Sequence, residues 1–447
     1  MDFVPHDKKT ITEMLNVIGV SSLEDLFHDI PKDLIIEKLD LPHGLSEPDL
    51  LRRMEEISKK NKIYSSSFLG AGAYFHYIPS LVSFVISRSE FYTAYTPYQA
   101  EASQGYLQAM YEYQTIISRL TQMDIVNASM YDGSTALAEA AIMATNIVKK
   151  NSIVMLEGIH PEYVEVVKTY CQGQNIEVKM VTEDSIIDQL NENDAAFLFQ
   201  SPNFFGDIED PSKLIKMVKG KVSHCLIIQV MNDPTCLGII KPPGETEIDI
   251  FVAEGQSFGI SPSFGGPGLG IFTAKKKFLR KMPGRLIGKT KEINGSREGF
   301  ILTLQTREQH IRREKAGSNI CTNQALCSLS ALVYLLAMGK DGLKEIAIQN
   351  FQKAHYLKEE IRKIQGYDVL NTKPTYNEFL VKCPNIDYLI DRCKERDLLP
   401  PLKVSKYYPK MKDVALICVT ELNSSYSINE FILASQEARI KKETEIF

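Results

Sequence analysis

The feature that most limits how this chain can fold is the stretch from residue 130 to residue 275, where short apolar runs alternate with helical patterns. A run that is apolar throughout is typical of a strand buried on both faces, and strands that alternate with helices are typical of a parallel sheet. The sequence therefore predicts an α/β fold with a mostly parallel sheet that helices cover on both faces. The predicted strands are 153–156, 177–181, 195–199, 225–230, 249–252 and 270–273.

The regions on either side have different patterns. Residues 1–60 are charged and helical, with a helix start at Ser46 and Pro48, and we interpret them as an arm that wraps around or docks onto a partner. Residues 61–315 are predicted to form the large α/β domain, which opens with a loop region rich in tyrosine and glycine. Residues 316–447 are predicted to form a long helical region in two parts and then a small α+β C-terminal domain.

Composition and charge argue against several functions. The 447-residue chain has a net charge of −5, so it has no broad basic field for nucleic acid or an anionic membrane. We see no run of about 18 apolar residues and no signal-peptide pattern, so we expect neither a membrane span nor secretion. The eight cysteines form no C-x-x-C pair, which indicates reduced thiols, no zinc site and a cytoplasmic protein.

Two segments lie where an α/β enzyme could bind a cofactor. The Asp-Gly-Ser-Thr segment 132–135 opens a predicted helix whose N-terminus could hold an anion, although we favour a plain helix cap. Asp233 follows the strand 225–230, at the sheet edge where ligands bind in α/β folds. It could hold the pyridinium nitrogen of pyridoxal phosphate (PLP), or it could simply form a turn with Pro234.

The turn after the strand 249–252 is where a PLP enzyme of this layout would carry its lysine. No lysine lies between Lys241 and Lys275. The Gly-Pro-Gly-Leu-Gly run at 266–270 lacks the spacing of a dinucleotide fingerprint and leads into a strand. We expect its glycines to permit close packing or the close approach of a partner loop.

A tyrosine-rich loop precedes the predicted helix 103–120. Its segment 92–99 is Tyr-Thr-Ala-Tyr-Thr-Pro-Tyr-Gln, and Glu101 follows. Polar aromatic side chains in irregular backbone commonly carry binding function. Pro97 fixes its own φ and restricts Thr96 to extended backbone, so a loop of defined shape is expected. The candidate functional residues are Tyr95, Thr96, Tyr98, Gln99 and Glu101.

This loop segment and several others, in the same order along nearly the whole chain, resemble the glycine cleavage system P-protein family. The family occurs as one long chain with two related halves or as two subunits, and this sequence is similar to the N-terminal half, or subunit 1. Where the cofactor-bearing half has His-Lys-Thr-Phe, this chain has Gly-Gln-Ser-Phe at 255–258, so Gln256 stands in place of the PLP lysine. The supporting segments are 202–206 (Pro-Asn-Phe-Phe-Gly), 241–244 (Lys-Pro-Pro-Gly), 265–268 (Gly-Gly-Pro-Gly), 306–310 (Thr-Arg-Glu-Gln-His) and 318–322 (Ser-Asn-Ile-Cys-Thr).

The resemblance implies the PLP-dependent transferase fold type I, which is aminotransferase-like, and the activity of glycine dehydrogenase (decarboxylating). PLP would be held by a lysine of a second subunit and would take up electrons when CO2 leaves glycine. The aminomethyl group would then pass to the lipoyl group of the H-protein. This chain would carry no covalent PLP, would lend its loop residues to the partner's active site, and would assemble with the partner as a heterodimer or heterotetramer.

Two other functions remain open at this point. The chain could be a non-catalytic structural or regulatory subunit that stabilises the PLP-bearing chain, although the polar and conformationally defined loop favours a catalytic contribution. It could also be a self-sufficient PLP enzyme, such as a cysteine desulfurase-like protein, which the absence of a lysine near Gln256 disfavours. Absorbance of the isolated chain in the PLP band would distinguish a self-sufficient PLP enzyme from a subunit without PLP.

Several other polar residues have a structural interpretation that we prefer. His76 and His160 could contact substrate or a lipoyl arm, but we expect structural histidines. The Arg-Arg-Glu-Lys segment 312–315 could steer an acidic H-protein, but we expect a solvated face. Cys321 has no base partner in the sequence, so we expect a structural thiol.

Overall fold

The computed structural model describes residues 6–36, 38–320 and 323–444, with side chains through residue 439. The chain divides into two compact units, Met1–Ile63 and Tyr64–Phe447.

The first unit contains two α-helices in its described part, α1 (Lys8–Ile18) and α2 (Glu47–Ser58). The Ser46 side chain caps α2 by accepting from the backbone N–H of Asp49, and a proline lies in the first turn, as the sequence predicted. None of the described residues of this unit is buried.

The second unit carries the α/β fold. Its helices are α3 (Ser80–Ile86), α4 (Ser89–Tyr92), α5 (Gln104–Thr121), α6 (Gly133–Val148), α7 (Pro161–Gln172), α8 (Ile186–Gln189), α9 (Pro211–Lys221), α10 (Gln309–Arg312), α11 (Ala325–Arg362), α12 (Ile386–Glu395) and α13 (Ser425–Thr444). Its strands are β1 (Ser66–Ser67), β2 (Ile125–Val126), β3 (Ser152–Leu156), β4 (Glu177–Val181), β5 (Asp194–Gln200), β6 (Leu226–Met231), β7 (Ile250–Glu254), β8 (Gly270–Ala274), β9 (Leu286–Lys291), β10 (Glu298–Thr303), β11 (Asp368–Val369), β12 (Glu378–Lys382), β13 (Leu398–Leu399), β14 (Leu402–Lys403) and β15 (Val414–Cys418).

The central sheet of the described chain has seven strands in the order β2-β8-β7-β6-β5-β3-β4. Strands β3 to β7 run parallel, whereas β8 and β2 are antiparallel to their neighbours. This confirms the predicted mostly parallel sheet. Each of the predicted strands, from 153–156 to 270–273, is present with bounds within two residues of the prediction.

Both faces of this sheet are buried. Along β5, Phe197 and Phe199 pack into the core on one face, and Ala196 and Leu198 pack into a second core beneath α6 on the other. Side chains alternate across a strand, so two buried faces require apolar residues at successive positions. That requirement explains why the strand is apolar without interruption.

The C-terminal region forms the small α+β part, with an antiparallel sheet in the order β11-β12-β15-β14 among its described residues. It is preceded by α11, which spans 38 residues. Gly339 has non-helical backbone angles (φ +60°), and it lies between the two predicted helical parts. The predicted start at Thr322 lies outside the described residues, and the helix begins at Ala325.

One helix in the described chain, α11, is long and apolar enough to cross a membrane by length and composition alone. The helix contains no unbroken run of 18 apolar residues, because Ser328, Ser330 and Lys340 interrupt it, so the sequence analysis did not single it out. Of its most apolar window, 56% is buried inside the protein. The buried side chains include Leu329, Leu332 and Leu335, which belong to the core that covers the central sheet. A core helix passes the same test, so the finding is weak support for a membrane span.

Candidate functional site

The candidate cofactor residues meet at one edge of the central sheet. His160 follows β3, Asp233 follows β6, and Gln256 follows β7, so all three lie beyond the carboxyl ends of parallel strands. All three are at least 94% buried. These residues therefore lie at the sheet edge where the sequence analysis placed a cofactor, which we call the cleft, and the groups that occupy it decide whether PLP fits.

Gln256 is engaged by the chain's own backbone. Its Oε1 accepts a hydrogen bond from the N–H of Tyr74 at 2.9 Å, and its Nε2 donates to the carbonyl of Tyr74 at 3.0 Å. The same Nε2 donates to the carbonyl of Ile260 at 2.5 Å. The residue at the expected lysine position is thus a structural amide that ties the segment around Tyr74 into the cleft.

The segment 70–76 fills the cleft. The N–H of Ala71 donates to Glu378 Oε1 at 2.6 Å, and the carbonyl of Ala71 lies 2.8 Å from His160 Nε2. The hydroxyl of Tyr74 donates to Glu378 Oε2 at 2.8 Å. Gly72 has a φ of +97°, and a Cβ there would lie 3.2 Å from the His160 ring. His160 has protein partners, as the structural interpretation expected.

Asp233 is also occupied by protein groups. Its Oδ2 accepts from Asn377 Nδ2 at 2.7 Å and lies 3.2 Å from His76 Nε2, while its Oδ1 accepts from the hydroxyl of Thr235 at 2.7 Å. His76 Nδ1 lies 2.8 Å from Glu421 Oε2. The turn interpretation of Asp233 is therefore correct, because its side chain caps the turn that begins at Pro234. The cation that its carboxylate meets is His76 of the same chain.

Electrostatics reinforce this arrangement. Burial alone lowers the pKa of His76, but the charge of Asp233 and the hydrogen bonds to Asp233 and Glu421 outweigh it and raise the pKa to about 10. Burial alone raises the pKa of Asp233, but His76 outweighs it and holds the pKa below its usual value. The pair is thus an imidazolium and a carboxylate at neutral pH.

The start of α6, where a cofactor phosphate could lie, holds carboxylates instead. Asp132 Oδ1 caps the helix by accepting from the N–H of Thr135 at 2.7 Å, which confirms the cap that we favoured. Glu254 accepts from the N–H groups of Gly133 at 2.8 Å and Leu269 at 2.8 Å. Burial raises the pKa of Glu254 to about 7, against the backbone donors that lower it.

The glycine-rich turn is packed against the same helix start. A Cβ on Gly270 would lie 2.5 Å from both the carbonyl oxygen of Asp132 and the Cβ of Met130. This confirms the close packing expected for the 266–270 run. Taken together, the cleft of this chain does not fit PLP, because Gln256 stands at the expected lysine position, Asp233 is paired, and the chain's own segment 70–76 fills the space.

The loop residues lie elsewhere in the second unit and are mostly exposed. Tyr95 is 80% exposed and Tyr98 is 54% exposed. Gln99 and Glu101 are exposed and Thr96 is half-buried, while the proline between Thr96 and Tyr98 is buried. Beneath the loop lies a cavity of about 330 Å³, whose lining includes Tyr95 and Thr96. The loop is thus anchored by its buried proline, and most of its polar side chains are exposed to solvent.

Tyr98 connects the loop to a polar cluster that sequence analysis did not find. Arg285 Nη2 donates to the Tyr98 hydroxyl at 3.3 Å, and Arg285 Nη1 donates to Asn323 Oδ1 at 3.3 Å. Glu308 Oε2 lies 4.0 Å from Arg285 Nε and 3.6 Å from His310 Nδ1. Segment 306–310 was a family-like signal for Glu308 and His310, but no pattern singled out Arg285.

The remaining candidate residues are also placed. Segment 312–315 is exposed, as expected for a solvated face. Cys321 lies outside the described residues. Within the described residues, no group of three or more His, Cys, Asp or Glu side chains is arranged to hold a metal ion.

Comparison with known proteins identifies the class and then the family. Two solved enzyme structures share the fold at low sequence identity. A glutamate decarboxylase of Lactobacillus brevis has a TM-score of 0.65 and 15% identity, and the match covers 95% of this chain and 97% of that chain. A sphingosine-1-phosphate lyase of Burkholderia pseudomallei has a TM-score of 0.65 and 13% identity, with 91% and 94% covered. This similarity shows the fold alone. The chain has the fold of the PLP-dependent type I enzymes, which is aminotransferase-like in architecture.

The family model and the relatives of higher sequence identity all carry the name of one family. A family model described as glycine cleavage system P-protein matches residues 1–434. A probable glycine dehydrogenase (decarboxylating) subunit 1 of Carboxydothermus hydrogenoformans is 46% identical over 445 residues, or 97% of this chain and 98% of that protein. The protein of the same name from Listeria monocytogenes serotype 4a is 44% identical over 448 residues, or 98% and 99%.

A solved structure agrees with these relatives. The crystal structure of a glycine decarboxylase (P-protein) of the glycine cleavage system, in inhibitor-bound form, has a TM-score of 0.89 and 38% identity, and covers 98% of this chain and 100% of that chain. The chain belongs to the glycine cleavage system P-protein family.

Proposed function

We propose that this chain is subunit 1 of a glycine dehydrogenase (decarboxylating), and that it lends its loop 95–101 to an active site carried by a PLP-bearing partner subunit. One observation carries the proposal: the chain's own cofactor cleft is filled by its segment 70–76, while a polar loop of defined shape faces outward. A chain in this family without a usable cofactor site contributes to the reaction through a partner.

The partner subunit supplies the cofactor in this proposal. PLP held by a lysine of the partner subunit would supply the electron sink for the decarboxylation of glycine, which is chemistry that the residues of this chain cannot provide. The name subunit 1, carried by the relatives, supports the existence of such a partner. The acceptor of the aminomethyl group is the lipoyl group of the H-protein.

The loop contributes binding and orientation. Tyr95 and Tyr98 offer a hydroxyl at the tip of an aromatic ring, and Gln99 offers an amide, which can bind a carboxylate or bound water. Glu101 is an acceptor that can orient an amine or a water molecule. Decarboxylation is favoured when the carboxylate is held in a fixed orientation in a site from which water is excluded. Aromatic rings and placed donors from a second subunit meet both needs.

The arm of the first unit supports assembly with the partner. Its described residues include exposed apolar side chains such as Val17 at 88%, Leu41 at 70% and Leu51 at 64%. Exposed apolar surface on this scale is typical of a protein interface. We assign it to the partner subunit, in a heterodimer or heterotetramer with an interface on the order of 2,000 Å² or more.

We place the assembly in the cytoplasm. The cysteines within the described chain are free thiols, which suits a reducing compartment.

The alternative function is a structural or regulatory subunit that only stabilises the PLP-bearing chain. Both functions predict co-assembly, so only a change confined to the loop distinguishes them. Tyr98→Phe removes one hydroxyl, and Gln99→Ala removes one amide, on side chains that are exposed. Gln99 is exposed, so its replacement leaves the core intact, whereas Tyr98→Phe also removes the hydrogen bond that the hydroxyl accepts from the buried Arg285.

The test is glycine–CO2 exchange by the reconstituted complex. Losing one placed donor typically costs about 2.7–4 kcal/mol of transition-state stabilisation, which corresponds to about a hundredfold or more in rate. We therefore expect Tyr98→Phe and Gln99→Ala to lower exchange by about that factor, with partner PLP absorbance unchanged. Tyr92→Phe is the matched control, because Tyr92 is exposed and lies outside the candidate set. Full activity of both loop variants in a normal complex would favour the scaffold function.

A further inference from the structure

We propose that Arg285 is a positioning residue for the reaction, which fixes Tyr98 and thereby the shape of the loop 95–101. The inference rests on the proposed function, because it concerns how the loop is presented to the partner's active site. Arg285 lies 184 residues after Glu101, the last residue of the loop, so sequence proximity does not link the two.

The Arg285 side chain is 3% exposed and makes directed contacts on different sides of its guanidinium group. Nη2 donates to the Tyr98 hydroxyl at 3.3 Å, and the guanidinium carbon lies 5.5 Å from the centre of the Tyr98 ring. Nη1 donates to Asn323 Oδ1 at 3.3 Å, and Nε lies 4.0 Å from Glu308 Oε2. Tyr98 is therefore held at its hydroxyl end by a group that is itself fixed from two other directions.

The groups that hold Arg285 are fixed in turn. Asn323 Nδ2 donates to the hydroxyl of Ser129 at 3.0 Å, and the carbonyl of Arg285 accepts from the N–H of Ala128 at 2.8 Å. Glu308 is 7% exposed, so the charge that faces Arg285 is also buried. Buried partners of this kind cannot move without leaving a charge or donor unpaired. The guanidinium group is consequently held in one position, from which it donates to the Tyr98 hydroxyl.

A second contact fixes the loop beyond Gln99. Gln104 Nε2 donates to the carbonyl of Ala100 at 2.7 Å and to the carbonyl of Phe300 at 2.9 Å, and its Oε1 accepts from the N–H of Phe300 at 2.9 Å. The glutamine thereby links the loop to β10. With Tyr98 and Ala100 both held, the exposed Gln99 between them has a defined direction.

An arginine suits this role better than a lysine. Its guanidinium is planar, always charged, and presents donors in several fixed directions, whereas a lysine ammonium is a single flexible point charge. Arg285→Lys preserves the charge beside Glu308 but cannot reach Tyr98 and Asn323 in the same geometry. The substitution therefore loosens the loop while it keeps the buried ion pair.

The first test is a double-variant cycle on glycine–CO2 exchange in the reconstituted complex. We expect Arg285→Lys to lower kcat about tenfold, with a smaller change in KM for glycine and unchanged partner PLP absorbance. Because Arg285 acts through Tyr98, the double variant with Tyr98→Phe should lose no more activity than the more impaired single variant. The control is Arg280→Lys, because Arg280 is exposed and lies five residues before Arg285. The complex with this variant should keep full activity. Multiplicative losses in the double variant, or full activity of Arg285→Lys, would overturn the inference.

The second test measures the loop without catalysis. The chain contains no tryptophan, so Tyr95→Trp gives the full-length chain a single fluorescent reporter on the loop. Adding Arg285→Lys should lower the emission anisotropy of that reporter, and adding Arg280→Lys should not. Equal anisotropy in all three chains would contradict the positioning role, even if Arg285→Lys impaired assembly.

The outcomes also separate this inference from the proposed function. If Tyr98→Phe and Gln99→Ala retain full activity, the loop is not catalytic and the proposed function fails. If those variants are impaired but Arg285→Lys is not, the proposed function stands and only the role of Arg285 is wrong.

Discussion

Gln256 and Tyr74 pair through two hydrogen bonds, in which the side-chain amide of Gln256 accepts from the backbone N–H of Tyr74 at 2.9 Å and donates to its carbonyl at 3.0 Å. An amide side chain thus imitates the pairing of a neighbouring strand. Gln256 stands where the resemblance to the P-protein family places the lysine of the cofactor-bearing half, and in this chain the residue at that position has a structural role. Restoring the lysine should therefore not restore a cofactor site.

Gln256→Lys tests this directly. Lysine cannot accept from Tyr74, and its ammonium would be buried where the Gln256 amide nitrogen now donates to the backbone carbonyls of Tyr74 and Ile260. We expect a loss of about 1–3 kcal/mol in the free energy of unfolding, and no PLP adduct after incubation with PLP, borohydride reduction and mass spectrometry. Gln172→Lys, at an exposed position of α7, is the control for stability. A phosphopyridoxyl adduct on the introduced lysine would show that the cleft can open.

The buried His76 gives a pH dependence of stability. Its pKa is raised to about 10 in the folded chain, above the usual value of 6.5. Its contribution is therefore fully present below about pH 6.5 and is lost as the pH rises through about 10, at up to about 1.4 kcal/mol per pH unit. Chemical denaturation between pH 7 and pH 10 should show this decline in the free energy of unfolding.

His76→Gln should be less stable than the wild type at pH 7 by about 3–5 kcal/mol, because it leaves Asp233 and Glu421 buried without their cation. The variant should also show a smaller decline in stability between pH 7 and pH 10. The exposed His43 provides the control His43→Gln, which should follow the wild type. An identical pH profile for wild type and His76→Gln would mean that His76 is not charged in the folded chain.

The fold was predictable because its determinants are local. Strands such as β3 and β5 are buried on both faces, so each required a continuous apolar run, 153–156 and 195–199, that is visible in the sequence. The lysine-free turn after β7 was also visible in the sequence, and the resemblance to the P-protein family singled out Gln256 within it. The helix cap at Asp132 was found because its position is defined by the neighbouring residues of one turn.

The contents of the cleft were not predictable from local pattern. Glu378 and Glu421 reach the cleft from the C-terminal region, more than 300 residues after the segment that they contact. Arg285 is similarly brought to Tyr98 by the fold across 187 residues. Nothing in the spacing of such residues reveals that they meet, so the filled cleft and the held loop required the structure.

Gly72 offers a further test of the filled cleft. Its φ of +97° is a conformation that residues with a side chain rarely adopt, and a Cβ would lie 3.2 Å from the His160 ring. We expect Gly72→Ala to lower the free energy of unfolding by roughly 1–3 kcal/mol. Gly220→Ala in α9 is the matched control, because no atom lies within 4 Å of its added Cβ. That control should be neutral or stabilising by up to about 1 kcal/mol. Equal thermal stability of the two variants would argue against a tightly held segment 70–76.

The apolar face of α2 predicts how assembly can be weakened without unfolding the chain. Leu51 and Met54 are 64% and 55% exposed, and they lie three residues apart on one side of the helix. Replacing both with lysine puts charge into the proposed interface with the partner subunit, and charges that are desolvated without a partner weaken association strongly. We expect the dissociation constant of the two subunits to rise at least about a hundredfold, which corresponds to roughly 2.7 kcal/mol.

Stability should separate this effect from misfolding, since exposed positions contribute little to the free energy of unfolding. The double variant should therefore unfold at the same temperature as the wild-type chain when each is measured alone. Glu56→Lys changes the charge in the same direction on the polar side of α2 and should leave the dissociation constant within about threefold, or 0.7 kcal/mol. Sedimentation of each variant with the partner subunit gives the comparison. Wild-type affinity of the Leu51→Lys, Met54→Lys chain would exclude this face from the interface, and the partner would then have to bind through the second unit alone.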